Sequence, residues 1–164
     1  MLEMLKRAKE DKTICEKLEP FLPDEFAARG CGYHIQQAIE KEMKSYLLLN
    51  GIEYPKTHNV QKLLNIISDS KLPLPNELSE RIEDMSDTLF NWETNNRYDP
   101  YSSFTERKYK RAVDIYTCLE SYILNLTASQ SAADEKNNDV ILNKENNIDI
   151  TSDDEILNFP TRSR

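Results

Sequence analysis

Tyr33-His34-Ile35-Gln36-Gln37-Ala38-Ile39-Glu40-Lys41, followed by Lys44 and Leu47-Leu48-Leu49-Asn50-Gly51, is the stretch on which the reading of this chain turns. Its apolar residues belong to a longer series, Ala27, Cys31, Ile35, Ala38, Ile39, Tyr46 and Leu49, that recurs in steps of three and four. An α-helix has about 3.6 residues per turn, so this spacing gathers the series on one face. Asp24 stands where an N-cap is needed, and Glu25 lies in the first turn, where the helix dipole favours an anion. Asn50-Gly51 supplies the stop, because glycine takes the left-handed cap conformation at little cost. Gly30 and Gly32 weaken the start of this helix, which predicts first turns that are irregular or packed closely on a neighbour.

The pattern extends outward in both directions. A first helix is predicted over Leu2 to Leu18, with Leu5, Ala8, Cys15, Leu18 and Leu22 near one stripe and Pro20 and Pro23 breaking it. A short third helix follows Thr57-His58-Asn59 and carries Val60, Leu63, Leu64 and Ile67 on its apolar face. Pro73 and Pro75 mark a loop, after which Leu78, Ile82, Met85, Leu89 and Trp92 define a fourth helix from near Asn76 to Thr94. Arg97-Tyr98-Asp99-Pro100-Tyr101 reads as a loop. Ser103-Phe104-Thr105-Glu106 reads as a capping box opening a fifth helix, whose stripe is Tyr109, Ala112, Val113, Tyr116, Leu119, Ile123 and Leu126. From Thr127 the periodicity ends and Asn, Asp, Ser and Glu dominate, so residues 127–164 are expected to form an acidic, Asn-rich, disordered tail. No segment alternates as a strand does. The expectation is an all-α, up-and-down antiparallel bundle of about five helices over residues 1–126.

Composition narrows the function. The net charge of −8 divides equally between residues 1–126 and 127–164, which argues against a strongly basic nucleic-acid binder. Cys15, Cys31 and Cys118 sit at no metal-binding spacing and read as buried thiols of a reducing compartment. No metal site and no cofactor are expected. No apolar run approaches the ~20 residues of a membrane span, and the N-terminus shows no signal-peptide pattern. A cytoplasmic protein with no membrane association is the expectation.

The opening stretch, His34 through Lys41 with Lys44 and Leu47-Leu48-Leu49-Asn50-Gly51, resembles the second helix of HEPN domains, which carry an aromatic or His, then Gln-Gln-Ala, Glu-Lys and a further Lys. Thr57-His58-Asn59-Val60 with Leu63-Leu64 is similar to that family's turn into a short helix. Arg97-Tyr98-Asp99-Pro100 resembles its Arg-Tyr-Pro-like element, with Asp99 inserted. The resemblance covers about residues 3–126. It implies a small helical bundle that forms a homodimer, with suspected nucleotide binding. Many members are encoded beside a minimal nucleotidyltransferase acting as partner or antitoxin. One branch consists of metal-independent endoribonuclease toxins that use an Arg followed, four to six residues on, by a His.

Two sets of candidate residues emerge. Arg29 and His34 satisfy that catalytic string, with His as general acid or base and Arg holding phosphate charge. The family's motif, however, lies near the last long helices, where Arg97 stands, and no His follows Arg97. On a regular helix, five residues also separate two side chains by about 140°. The second set, Gln37, Glu40, Lys41, Lys44, Arg97 and Tyr98, suits a polar groove in which the cations meet phosphate oxygens and the ring stacks on a base. The plainer alternative makes Glu40 and Lys44 a surface i,i+4 pair. His58 is expected to bond backbone carbonyls in its turn. Arg107, Lys108, Lys110 and Arg111 form a dense basic cluster, read as a solvated face in preference to a contact with RNA or with the acidic tail. The function expected is that of a non-catalytic HEPN-like domain binding a nucleotide or a partner such as a nucleotidyltransferase, in a toxin–antitoxin-type system. The alternatives are an RNA-cleaving endoribonuclease toxin and a pure protein-interaction domain.

Overall fold

The computed structural model describes residues 2–22, 24–94 and 104–148. Helix α1 spans Leu2–Leu18 and runs into a 3-10 turn, Glu19–Phe21, with Pro20 near its start. Helix α2 spans Glu25–Leu49, and its N-cap is Asp24, whose Oδ1 accepts hydrogen bonds from the backbone N–H of Phe26 at 2.9 Å and Ala27 at 3.1 Å. It ends as expected: Gly51 adopts φ of 72°, and the Ile52 N–H reaches back to the Leu47 carbonyl at 2.9 Å. Helix α3, Val60–Asp69, is capped by Asn59, whose Oδ1 accepts from the Lys62 N–H at 3.0 Å. Helix α4 spans Asn76–Thr94 and helix α5 spans Glu106–Ile148. No strand occurs among the described residues. The fold is an all-α bundle, as the periodicity predicts.

The chain divides into two units, Met1–Leu124 and Asn125–Arg164. In the first, α2 is the central element: α1 packs along it most extensively, and α3 and α4 pack on it and on each other. The stripes expected from sequence supply the core. Ala8, Cys15, Ile35, Ile39, Tyr46, Leu63, Ile67, Ile82, Leu89, Trp92, Leu119 and Ile123 are all essentially inaccessible. The two α2 glycines permit close approach while the helix stays regular. A Cβ at Gly32 would lie 3.2 Å from the Trp92 ring, and one at Gly30 would lie 2.5 Å from Leu18 Cδ1. The hydroxyls of Tyr46 and Tyr122 both donate to the Pro73 carbonyl and so tie the loop after α3 to the bundle.

Three details differ from the sequence-based expectation. The cap of α5 is Thr105, whose Oγ1 accepts from the Lys108 N–H at 3.2 Å; Ser103 lies outside the described residues. Cys15 and Cys31 are buried, each thiol directed at the other's carbonyl, but Cys118 is exposed because its neighbour Leu119 takes the inward position. Helix α5 does not stop at Leu126 but continues to Ile148. Residues 127–148 contain no Gly or Pro, and their Ala, Glu, Lys and Leu residues favour a helix even without an apolar stripe.

Candidate functional site

Because α2 is surrounded by its neighbours, it buries not only its apolar face but also Gln36, Gln37, Glu40, Glu42, Lys44 and Ser45. Buried polar groups are costly unless partnered, and Gln36, Gln37, Glu40 and Lys44 meet that demand in a continuous network that also takes in His34 and Lys41, whereas Glu42 Oε2 and Ser45 Oγ have no hydrogen-bond partner. At one end stands Asp11 of α1. Its Oδ1 pairs with His34 Nδ1 at 2.8 Å and its Oδ2 accepts from Lys41 Nζ at 2.5 Å. Lys41 also donates to Gln37 Oε1 at 3.3 Å, and Gln37 Nε2 donates to Gln36 Oε1 at 2.7 Å. Gln36 Nε2 then donates to Glu40 Oε2 and to the His58 carbonyl, both at 3.1 Å. Glu40 closes the chain, accepting from Lys44 Nζ at 2.6 Å and pairing with His58 Nδ1 at 3.2 Å. The Lys44 ammonium also lies 5.1 Å above the Tyr54 ring centroid.

Two carboxylates thus hold two lysines and two histidines. The Glu40–Lys44 pair is interior, with side chains 3% and 9% exposed, and is not the surface pair of the plainer alternative. His58 uses its ring on the Glu40 carboxylate and not on backbone carbonyls; the ring is 61% exposed and marks where the network reaches solvent. Burial alone would raise the Asp11 carboxyl, but hydrogen bonds from His34 and Lys41 outweigh it and hold Asp11 below the ordinary carboxylate value.

Of the expected site residues, Gln37, Glu40, Lys41 and Lys44 come together. Arg97 and Tyr98 lie outside the described residues. Arg29 and His34 do not converge. The helix is regular between them, Arg29 pairs with Glu25 at 2.9 Å and lies 5.2 Å from the Phe26 centroid, and His34 is held by Asp11. The basic cluster of α5 is solvated at Arg107, Lys110 and Arg111, and Arg111 reaches Asp84 at 3.4 Å. Asp11 and Gln36 were not among the residues anticipated. Asp11 had a local signal: it lies three residues after Ala8 and four before Cys15, so it is an acid on a buried stripe.

Among the described residues no group of three or more His, Cys, Asp or Glu could hold a metal ion, and no helix is long and apolar enough to cross a membrane. The family model described as HEPN domain matches residues 2–122. No curated protein and no solved structure matches the chain significantly.

Proposed function

This chain belongs to the HEPN domain family, and on that premise we propose that it is a non-catalytic, homodimeric member that works by binding, with a protein partner such as a nucleotidyltransferase favoured over a free nucleotide, in a toxin–antitoxin-type pairing. One observation carries this reading: Asp11 and Glu40 already neutralise Lys41 and Lys44 inside the molecule. A phosphate at this face must displace a carboxylate from each lysine, the buried Glu40 from Lys44 and the half-buried Asp11 from Lys41, which costs more than meeting a free ammonium. The separation of Arg29 from His34 supports the non-catalytic part, because a general acid or base and its charge-stabilising partner must reach the same phosphate.

The test compares three activities of the purified protein. Co-expressed with a nucleotidyltransferase from its own genomic neighbourhood, it is expected to elute as a single complex on size exclusion. Calorimetric titration with ATP or GTP is expected to give no saturable heat at concentrations on the order of 1 mM. Saturable nucleotide binding that disappears in Lys41→Met would move the reading to a nucleotide-binding domain. Cleavage of total RNA that is lost in Arg29→Ala or His34→Ala would overturn the non-catalytic reading.

A further inference from the structure

Separate from the Asp11–Glu40 network, a cavity of about 230 Å3 opens where α1, α2 and α5 meet. It is lined by Leu5, Lys6, Lys9, Glu42, Glu120 and Leu124, and its wall is mostly apolar. Glu42 is 1% exposed, and its Oε2 has no hydrogen-bond partner. No ion pair reaches it among the described residues, and Lys6 and Lys9 are exposed. Glu120 is half-buried, and its Oε1 accepts from the Tyr116 hydroxyl at 3.0 Å. Glu42 Oε2 is thus an orphaned acceptor beside an apolar wall, and the second carboxyl at the same cavity, Glu120, takes one donor from the Tyr116 hydroxyl and keeps further acceptor capacity.

The donor set chooses the ligand class. A divalent metal requires about six or more oxygen ligands, and two carboxyls in an apolar wall do not provide them. An ammonium group has three N–H donors and is satisfied by two or three acceptors. The volume lies below the ~300–1,000 Å3 of sites for drug-sized ligands, and the apolar wall suits a short carbon chain. Lys6 and Lys9 at the wall repel a second positive charge. We propose that this cavity binds a small primary monoamine as its alkylammonium ion, with the N–H groups meeting Glu42 and Glu120 and the chain lying along Leu5 and Leu124.

Binding has a proton balance. Burial, and then the nearby Glu120, push Glu42 up to about 8, so at neutral pH its carboxyl carries a proton. The incoming ammonium keeps its own protons, Glu42 ionises, and its proton leaves to solvent. The other titratable groups around Glu42 are Glu120 and Tyr116 on α5 and Lys6 and Lys9 on α1, with Glu16 of α1 facing Tyr116.

The experiment titrates the full chain with n-butylammonium chloride, following glutamate carboxyl signals by 13C NMR and heat in two buffers of different ionisation enthalpy. The expected result is saturable binding with proton release at neutral pH. Affinity rises about tenfold per pH unit below about pH 8 and levels off above it. 1,4-Diaminobutane binds more weakly, and 1-butanol leaves the Glu42 signal unmoved. Glu42→Gln, which is close in shape and still folds by circular dichroism, lowers affinity at least about tenfold; Leu124→Ala weakens it through the wall. The absence of a saturable Glu42 shift at amine concentrations on the order of 10 mM overturns the proposal. So does equal binding of 1-butanol, or unchanged affinity in Glu42→Gln.

Discussion

Lys71 adopts φ of 53°, a left-handed conformation that side-chain-bearing residues take at a cost, just after α3 ends. Its N–H bonds the Ser68 carbonyl at 2.9 Å, and the Leu72 N–H bonds the Ile67 carbonyl at 3.1 Å, so this is a helix-end position where glycine is the usual occupant. Lys71→Gly is expected to stabilise the fold by about 0.5–1 kcal/mol in urea unfolding, the relief of strain exceeding the added freedom of the unfolded chain. The Glu40–Lys44 pair argues in the other direction. Removing one partner strands a charge in the interior, so Lys44→Met is expected to destabilise by about 3–5 kcal/mol. The double change Glu40→Gln with Lys44→Met is expected to cost less than Lys44→Met alone, because no buried charge is then left unpaired. A double change that costs the sum of both single ones would show that the pair contributes by shape and not by charge.

At the scale of elements, α2 decides the architecture, and its two glycines do different work. The Cβ of an alanine at Gly32 meets the flat, fixed ring of Trp92, whereas one at Gly30 meets the end of the flexible Leu18 side chain. Gly32→Ala is therefore expected to destabilise by about 1–3 kcal/mol. Gly30→Ala is expected to be near neutral, the gain in helix propensity offsetting the shift of Leu18. Thermal melts of the two variants check this ranking, and equal losses would mean that the Trp92 contact is not the constraint. The same helix shows what was legible in sequence. The limits of α1, α2 and α4 follow from local signals: Asp24 as cap, Gly51 as stop, and apolar steps of three and four. The identity of the polar residues on α2 was also legible, since Gln37, Glu40, Lys41 and Lys44 do form one network. Their burial was not, because it depends on how α1, α3 and α4 surround α2. The partnership of Lys41 with Asp11, thirty residues away, leaves no trace in local periodicity. The burial of Glu42, by contrast, has a local signal, since it lies three residues after Ile39 and four before Tyr46 and so is an acid on the apolar stripe of α2.

For the molecule as a whole, two carboxyls displaced in opposite directions shape how stability depends on pH. Asp11 titrates lower in the folded chain than its ordinary 3.8. Its contribution is therefore fully present above about 3.8 and is lost as pH falls through the folded value. Glu42 moves from 4.5 to about 8. The folded state binds that proton more tightly than the unfolded state, so the benefit of a neutral Glu42 is complete below 4.5 and is lost as pH rises toward 8. The loss proceeds at about 1.4 kcal/mol per pH unit across that interval and then stops, once the folded state also releases the proton. Glu42→Gln cannot ionise and escapes the penalty. Its stability relative to the parent chain is expected to be constant below about pH 4.5, to rise through neutrality, and to level off above about pH 8. Asp11→Asn is expected to do the reverse at the acid end, costing stability at neutral pH and nothing below the folded titration of Asp11. Urea unfolding of the three proteins over that range separates the limbs. Curves for the parent and Glu42→Gln that run parallel throughout would mean that Glu42 ionises freely in the folded chain, against the burial of its side chain between α1 and α5.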